Sequence, residues 1–177
     1  MAVAETRAPT PRNPRGEAMA AELKWVHDMI RQDLRTIQQM AADVGAGRAA
    51  GEIQAGIRSL AASGPLWQLK VGCLHYCRLV HSHHHTESAM LFPALRRANP
   101  ALDPVVDKLE ADHVHVADLL DEVETAAREL SDAENPATRT RLTRALKQLS
   151  ADLLTHLQYE EDHISDTLRT WSDWPFG

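Results

Sequence analysis

Apolar residues recur at steps of three and four along most of this chain, the spacing of one face of an α-helix. The first stripe reads Leu23, Ile30, Leu34, Ile37 and Met40. It predicts a helix that opens near Glu17 and stops around Gly45-Ala46-Gly47. A short amphipathic piece follows (Ile53, Ile57, Leu60), then Ser63-Gly64-Pro65, with Pro65 suited to a first helical turn. The second stripe is Leu66, Leu69, Cys73, Tyr76, Val80, His83, Glu87 and Leu91, on a helix from Pro65 to about Met90. Pro93 should bend or end that helix, and Asn99-Pro100 marks a turn. Val106, Leu109, His113, Val116, Leu120 and Val123 define a third helix from about Asp103 to Ser131. Asn135-Pro136 opens a fourth, to about Thr170, along Leu142, Leu146, Leu149, Leu153, His156, Glu160, Ile164 and Leu168. The expected fold is all-α: an up-down-up-down four-helix bundle over residues 17–170, with a short helix between helices one and two. Residues 1–16, with Pro9, Pro11 and Pro14, read as a flexible tail. Residues 171–177 form a C-terminal tail whose Trp171, Trp174, Pro175 and Phe176 are expected to fold back over a bundle end.

The stripes are not purely apolar. His27 falls between Leu23 and Ile30, and His113 between Leu109 and Val116. Helices two and four each carry His-x-x-x-Glu in the stripe: His83 with Glu87, and His156 with Glu160. Residues four apart on a helix lie one turn above each other, so each pair can grip one site. A lone inward histidine needs only a hydrogen-bond partner. An ionised carboxylate at a core position is costly unless paired or metal-bound. Six such residues in a pseudo-twofold pattern therefore point to a shared site. Four of the ten histidines crowd into residues 81–85. Of these, His81, His84 and His85 are expected on the flank or outside, in solvent, and His115 points away from His113.

Composition narrows the function. A net charge of −6 argues against a nucleic-acid footprint, which would be basic. No apolar run is long enough to span a membrane, and the polar N-terminus lacks the apolar core of a signal peptide, so a cytoplasmic protein is expected. Cys73 and Cys77 lie four apart on one helix, where a disulfide is geometrically poor, and read as free thiols.

Four imidazoles and two carboxylates are too many ligands for one tetrahedral zinc. They suit two octahedral first-row ions bridged by carboxylates, and the donor mix accepts iron, manganese or zinc. The pattern resembles the hemerythrin-like (HHE cation-binding) domains. The resemblance is carried by Glu22-Leu23-Lys24-Trp25-Val26-His27-Asp28-Met29-Ile30, His83-x-x-x-Glu87-x-x-x-Leu91-Phe92-Pro93-Ala94-Leu95, Asp112-His113, and His156-x-x-x-Glu160-Glu161. It covers roughly residues 20–165. It implies a non-haem centre of two iron ions, oxo- or hydroxo-bridged. His27 and His83 would serve one iron, His113 and His156 the other, with Glu87 and Glu160 bridging. Glu161 is the alternative to Glu160, because oxygen carriers of the family place their last carboxylate five after the histidine. Those carriers also have a second histidine in helix three; here that position is Ala117. One histidine fewer leaves an open position on both irons, which favours catalase-like chemistry on hydrogen peroxide over reversible oxygen carriage. Some relatives act like catalases. The other outcome is a module that binds or senses dioxygen, nitric oxide or iron. Tyr76, two turns before His83, reads as a core tyrosine or as an iron ligand, and His163 as a spare ligand.

Overall fold

The computed structural model describes residues 13–45, 65–130 and 136–174. Helices make up nearly all of it: α1 (Pro14–Gly45), α2 (Pro65–Thr86), α3 (Phe92–Ala98), α4 (Asp103–Arg128) and α5 (Pro136–Leu168). A π turn, Glu87–Leu91, joins α2 to α3, and a short 3-10 turn, Pro100–Leu102, leads into α4. The predicted tail residues 1–12, the predicted short helix at 53–60, and Pro175 and Phe176 lie outside the described residues.

Four rods result, since α2, the π turn and α3 run on as one. The start of α1 meets the end of α5 at Asn13 and Arg169, where backbone groups bond at 3.2 Å. Lys70 at the start of α2 donates to the carbonyl of Arg128 at the end of α4. Arg141 at the start of α5 pairs with Glu129 just beyond α4. Successive rods are therefore antiparallel, the up-down-up-down bundle that the stripes predict.

The first helix opens three residues earlier than its stripe suggests. The Asn13 side-chain oxygen accepts the Gly16 amide at 2.7 Å, a helix cap, and Pro14 occupies the first turn. Gly16 is required there: a Cβ would sit 2.3 Å from the Arg169 carbonyl oxygen. Asn13 also donates to the carbonyl of Trp171, so one residue ties both ends of the chain's bundle together. Trp171 and Trp174 pack back onto the apolar cluster at that end, as expected of the tryptophans.

Pro93 does not end the second helix; the rod continues to Ala98. Proline lacks the amide for an i→i−4 bond and its ring crowds the preceding turn. The π turn absorbs this, with the Phe92 amide bonding to Glu87 five residues back.

The core is in two parts. One cluster gathers Ile30, Leu34, Val80, Val116, Leu120, Leu149, Leu153 and their neighbours. The other gathers Leu23, Leu91, Phe92, Leu95, Leu109, Ile164 and Leu168. Each rod contributes to both, and between its two contributions lie its histidines and glutamates.

Candidate metal centre

That intervening layer holds every fully buried polar or charged residue among those described: His27, His84, Glu87, His113, His156 and Glu160. His83 joins them, with 11% of its side chain exposed. The six stripe residues thus do meet at one level. The donor atoms fall into two groups, each within 4.8 Å internally: His27, His83, Glu87 and Glu160 in one, His84, His113 and His156 in the other.

The carboxylates connect the groups. Glu87 Oε1 lies 3.1 Å from His83 Nε2, while its Oε2 lies 3.5 Å from His113 Nε2. Glu160 Oε2 lies 3.4 Å from His27 Nε2 and 3.9 Å from His156 Nε2. All four carboxylate oxygens, and Nε2 of His27, His83 and His84, are buried with no hydrogen-bond partner. Buried polar atoms are nearly always satisfied, and among the described residues the only cationic partner these two carboxylates face within the layer is the His27 ring, 3.4 Å and 3.8 Å away. A layer of unsatisfied nitrogen and oxygen donors converging from four rods fits the coordination of cations.

A comparison with family models finds the hemerythrin HHE cation binding domain over residues 67–168. The chain belongs to this hemerythrin family. Searches of curated proteins and of solved structures return no match. The family match takes in α2 to α5 and so five of the six stripe residues of the layer. His27 lies outside it, and the fold places α1's histidine in the layer, as its position in the first stripe leads one to expect.

His84 is the correction to the sequence reading, which puts it in solvent with His81 and His85. It is buried, stacked on His113 with ring centroids 4.0 Å apart, and completes the second donor group. One residue turns a helix by about 100°, so adjacent residues both face inward where two neighbours are contacted. Here α2 packs against α1 through His83, whose ring meets His27, and against α4 through His84. His85 is exposed, and His81 pairs with Asp121 at the surface. The histidine absent at Ala117 is thus matched by a third imidazole beside His113 and His156, brought in by a different helix.

Three further expectations resolve by position. Glu161 does not point into the layer: its Oε1 accepts from His27 Nδ1 at 2.9 Å and from Arg31 at 2.7 Å. Supporting a histidine from behind in this way fixes its tautomer and directs Nε2 at the site. His163 is exposed, with its ring stacked on Tyr159 and Nδ1 2.7 Å from the Tyr159 carbonyl, so it is no spare ligand. Tyr76 is buried in the larger apolar cluster with its hydroxyl unpartnered, so its hydrogen bond is not satisfied by protein. Burial, with the nearby Cys77 and Asp33, pushes that phenol well above its usual range. Ser88, which no sequence pattern marks, sits on the π turn with Oγ 2.8 Å from His113 Nδ1. Phe92 stacks on the same ring.

Burial sets the protonation of the layer. It pushes His83 down to about 4 and His113 to about 3, and lowers His84 and His156 as well, with the other imidazoles adding repulsion. Neutral imidazole is the form that binds metal. His27 differs: burial lowers it, but Glu160, Glu161 and Glu87 overcome this and raise it to about 11. Burial and the neighbouring Glu160 raise Glu87. Burial also opposes the charge on Glu160, but His27 outweighs it and holds that carboxyl low. Cation binding would replace the proton on His27.

Proposed function

We propose that this hemerythrin-family protein is a non-haem di-iron protein that decomposes hydrogen peroxide. The observation that supports it most is the pairing of two donor groups through Glu87 and Glu160, one oxygen of Glu87 facing each group. His27 and His83 would hold one ion, His84, His113 and His156 the other, with the two glutamates shared. Two irons bound there would supply the two-electron redox capacity by which two peroxides become one dioxygen and two waters.

The protein's own groups set the conditions. The two apolar clusters above and below the layer keep bulk water away from it. Ser88 and Phe92 fix the His113 ring, and Glu161 fixes His27. Peroxide decomposition takes protons from one peroxide and gives them to the other, and His27 with Glu161 can hold a proton between the two halves. The His27 Nδ1 leads to Glu161, which is 11% exposed and lies 3.9 Å from Lys24 at the surface. Tyr76 lies on the same rod, two turns from His83, and we assign its phenol to the core rather than to an ion.

One observation favours the second reading, reversible binding of dioxygen or nitric oxide. With His84 counted, the layer has five imidazoles and two carboxylates, and unequal numbers of imidazoles in the two groups leave one ion more open than the other. Oxygen evolution separates the two readings. The iron-loaded protein is expected to release dioxygen from peroxide through many turnovers, and His113→Ala to abolish this. Reversible spectral change under oxygen, without turnover of peroxide, would establish the second reading instead.

A further inference from the structure

Between α1 and the π turn lies a pocket of about 140 Å³. Leu23, Val26 and Leu91 wall it, and His83 and Glu87 lie at its inner end. At the outer end stand Glu22, exposed on α1, and Trp174 from the segment after α5. The Trp174 indole donates to Glu22 Oε2 at 3.0 Å. We propose that this pocket is the path by which a small uncharged oxidant reaches the His27, His83, Glu87 and Glu160 group, and that Trp174 sets the size of what passes. The proposal rests on the di-iron reading above and adds the route and the substrate class.

Four observations carry it. The pocket ends on the group that has two imidazoles rather than three, the ion with more room for an exogenous ligand. Its volume is close to the roughly 150 Å³ of a cavity that takes up one benzene, so hydrogen peroxide enters with room to spare, whereas cumene hydroperoxide, a ring with a branched side chain, is larger than the pocket holds. Apolar walls disfavour ions, and Glu22 at the mouth repels anions in particular. Trp174 lies beyond the last turn of α5 and closes the mouth through its bond to Glu22, so its substitution changes the mouth without replacing a helical residue. A second pocket, between α4 and α5, touches only His156 of the layer. It meets that ring beside Asp112, 3.6 Å from Nδ1, whereas Nε2 faces His113 inside.

The test uses Trp174→Ala, Trp174→Phe and Val26→Phe in the full chain, each first shown to hold as much iron as the parent. Ferrous protein is mixed with hydrogen peroxide or with cumene hydroperoxide, ROOH being reduced to ROH and H2O by two ferrous ions and two protons. Trp174→Ala should raise the rate with cumene hydroperoxide relative to hydrogen peroxide by about tenfold or more, and Trp174→Phe should leave the ratio near the parent's. Nitric oxide association, a readout without turnover, should be roughly tenfold slower in Val26→Phe, whose larger ring fills the pocket. Iron-replete variants in which the hydroperoxide ratio stays fixed, or in which nitric oxide association stays fixed, overturn the proposal. If Val26→Phe does not retain iron, nitric oxide association in Trp174→Ala decides in its place: acceleration supports the path and no change overturns it. A parent protein without iron defeats the di-iron reading itself, so the two failures are distinguishable.

Discussion

Single residues in the layer have opposing effects on stability, and their signs fix a pH dependence for the metal-free protein. His83, His84, His113 and His156 are depressed in the fold. Their contribution is present above the unfolded value near 6.5 and is lost as pH falls through about 4 and 3. His27 is raised, so its contribution is full below 6.5 and is lost as pH rises toward about 11. Each pH unit of displacement is worth about 1.4 kcal/mol per group. Glu87 is raised to about 8, so it works the other way and recovers some stability as pH falls towards the unfolded carboxylate value. With four depressed histidines against one raised carboxyl, urea unfolding of chelator-treated protein should show a net loss of several kcal/mol between pH 6.5 and 4; a flat profile would mean the histidines are not buried together. His84→Ala should speed loss of bound metal by about 100-fold, whereas His85→Ala should not change it. Metal release to a chelator checks this. Most of this layer was legible because polar residues interrupt apolar stripes: His27, His83, Glu87, His113, His156 and Glu160 all interrupt a helical face. His84 was not, because periodicity marks the centre of a face and His84 lies on its flank, turned inward only by contact with a second helix.

At the level of elements, the stripes placed four helices, and the capping residue and the proline response escaped them. Asn13 carries no capping signal in the stripes because its partners, Gly16 and the carbonyl of Trp171, are decided by chain ends that sequence spacing does not link. Gly16 follows from the same junction. Gly16→Ala must push the Arg169 backbone away, and should cost about 1–3 kcal/mol in urea unfolding without altering metal content. The π turn was equally hidden: the spacing of the second stripe continues evenly to Leu91, and only the hydrogen bond from Phe92 to Glu87 shows the wider turn. It is the element that carries Glu87 and Ser88 into the layer while letting the rod run through Pro93.

For the molecule as a whole, a costly polar layer sits between two apolar clusters that each draw on all four rods. Burying a large aliphatic side chain contributes about 1.5–3 kcal/mol, and the clusters together offset the cost of carrying charges inside. The bundle's order was readable from four apolar stripes separated by Gly- and Pro-containing turns. How far the chain's ends are tied to the bundle, through Asn13, Trp171 and Trp174, was not, because those contacts join residues 152 to 158 apart in sequence. Cations bound in the layer stabilise the fold by mass action, so chelation should lower the melting temperature by roughly 10 °C. The most direct measurement is elemental analysis of the purified protein after iron loading and desalting. Two tightly held irons per chain, falling to one or fewer in His113→Ala, is the expected result. Iron absent or below one per chain in the parent would contradict a paired-ion centre at this layer.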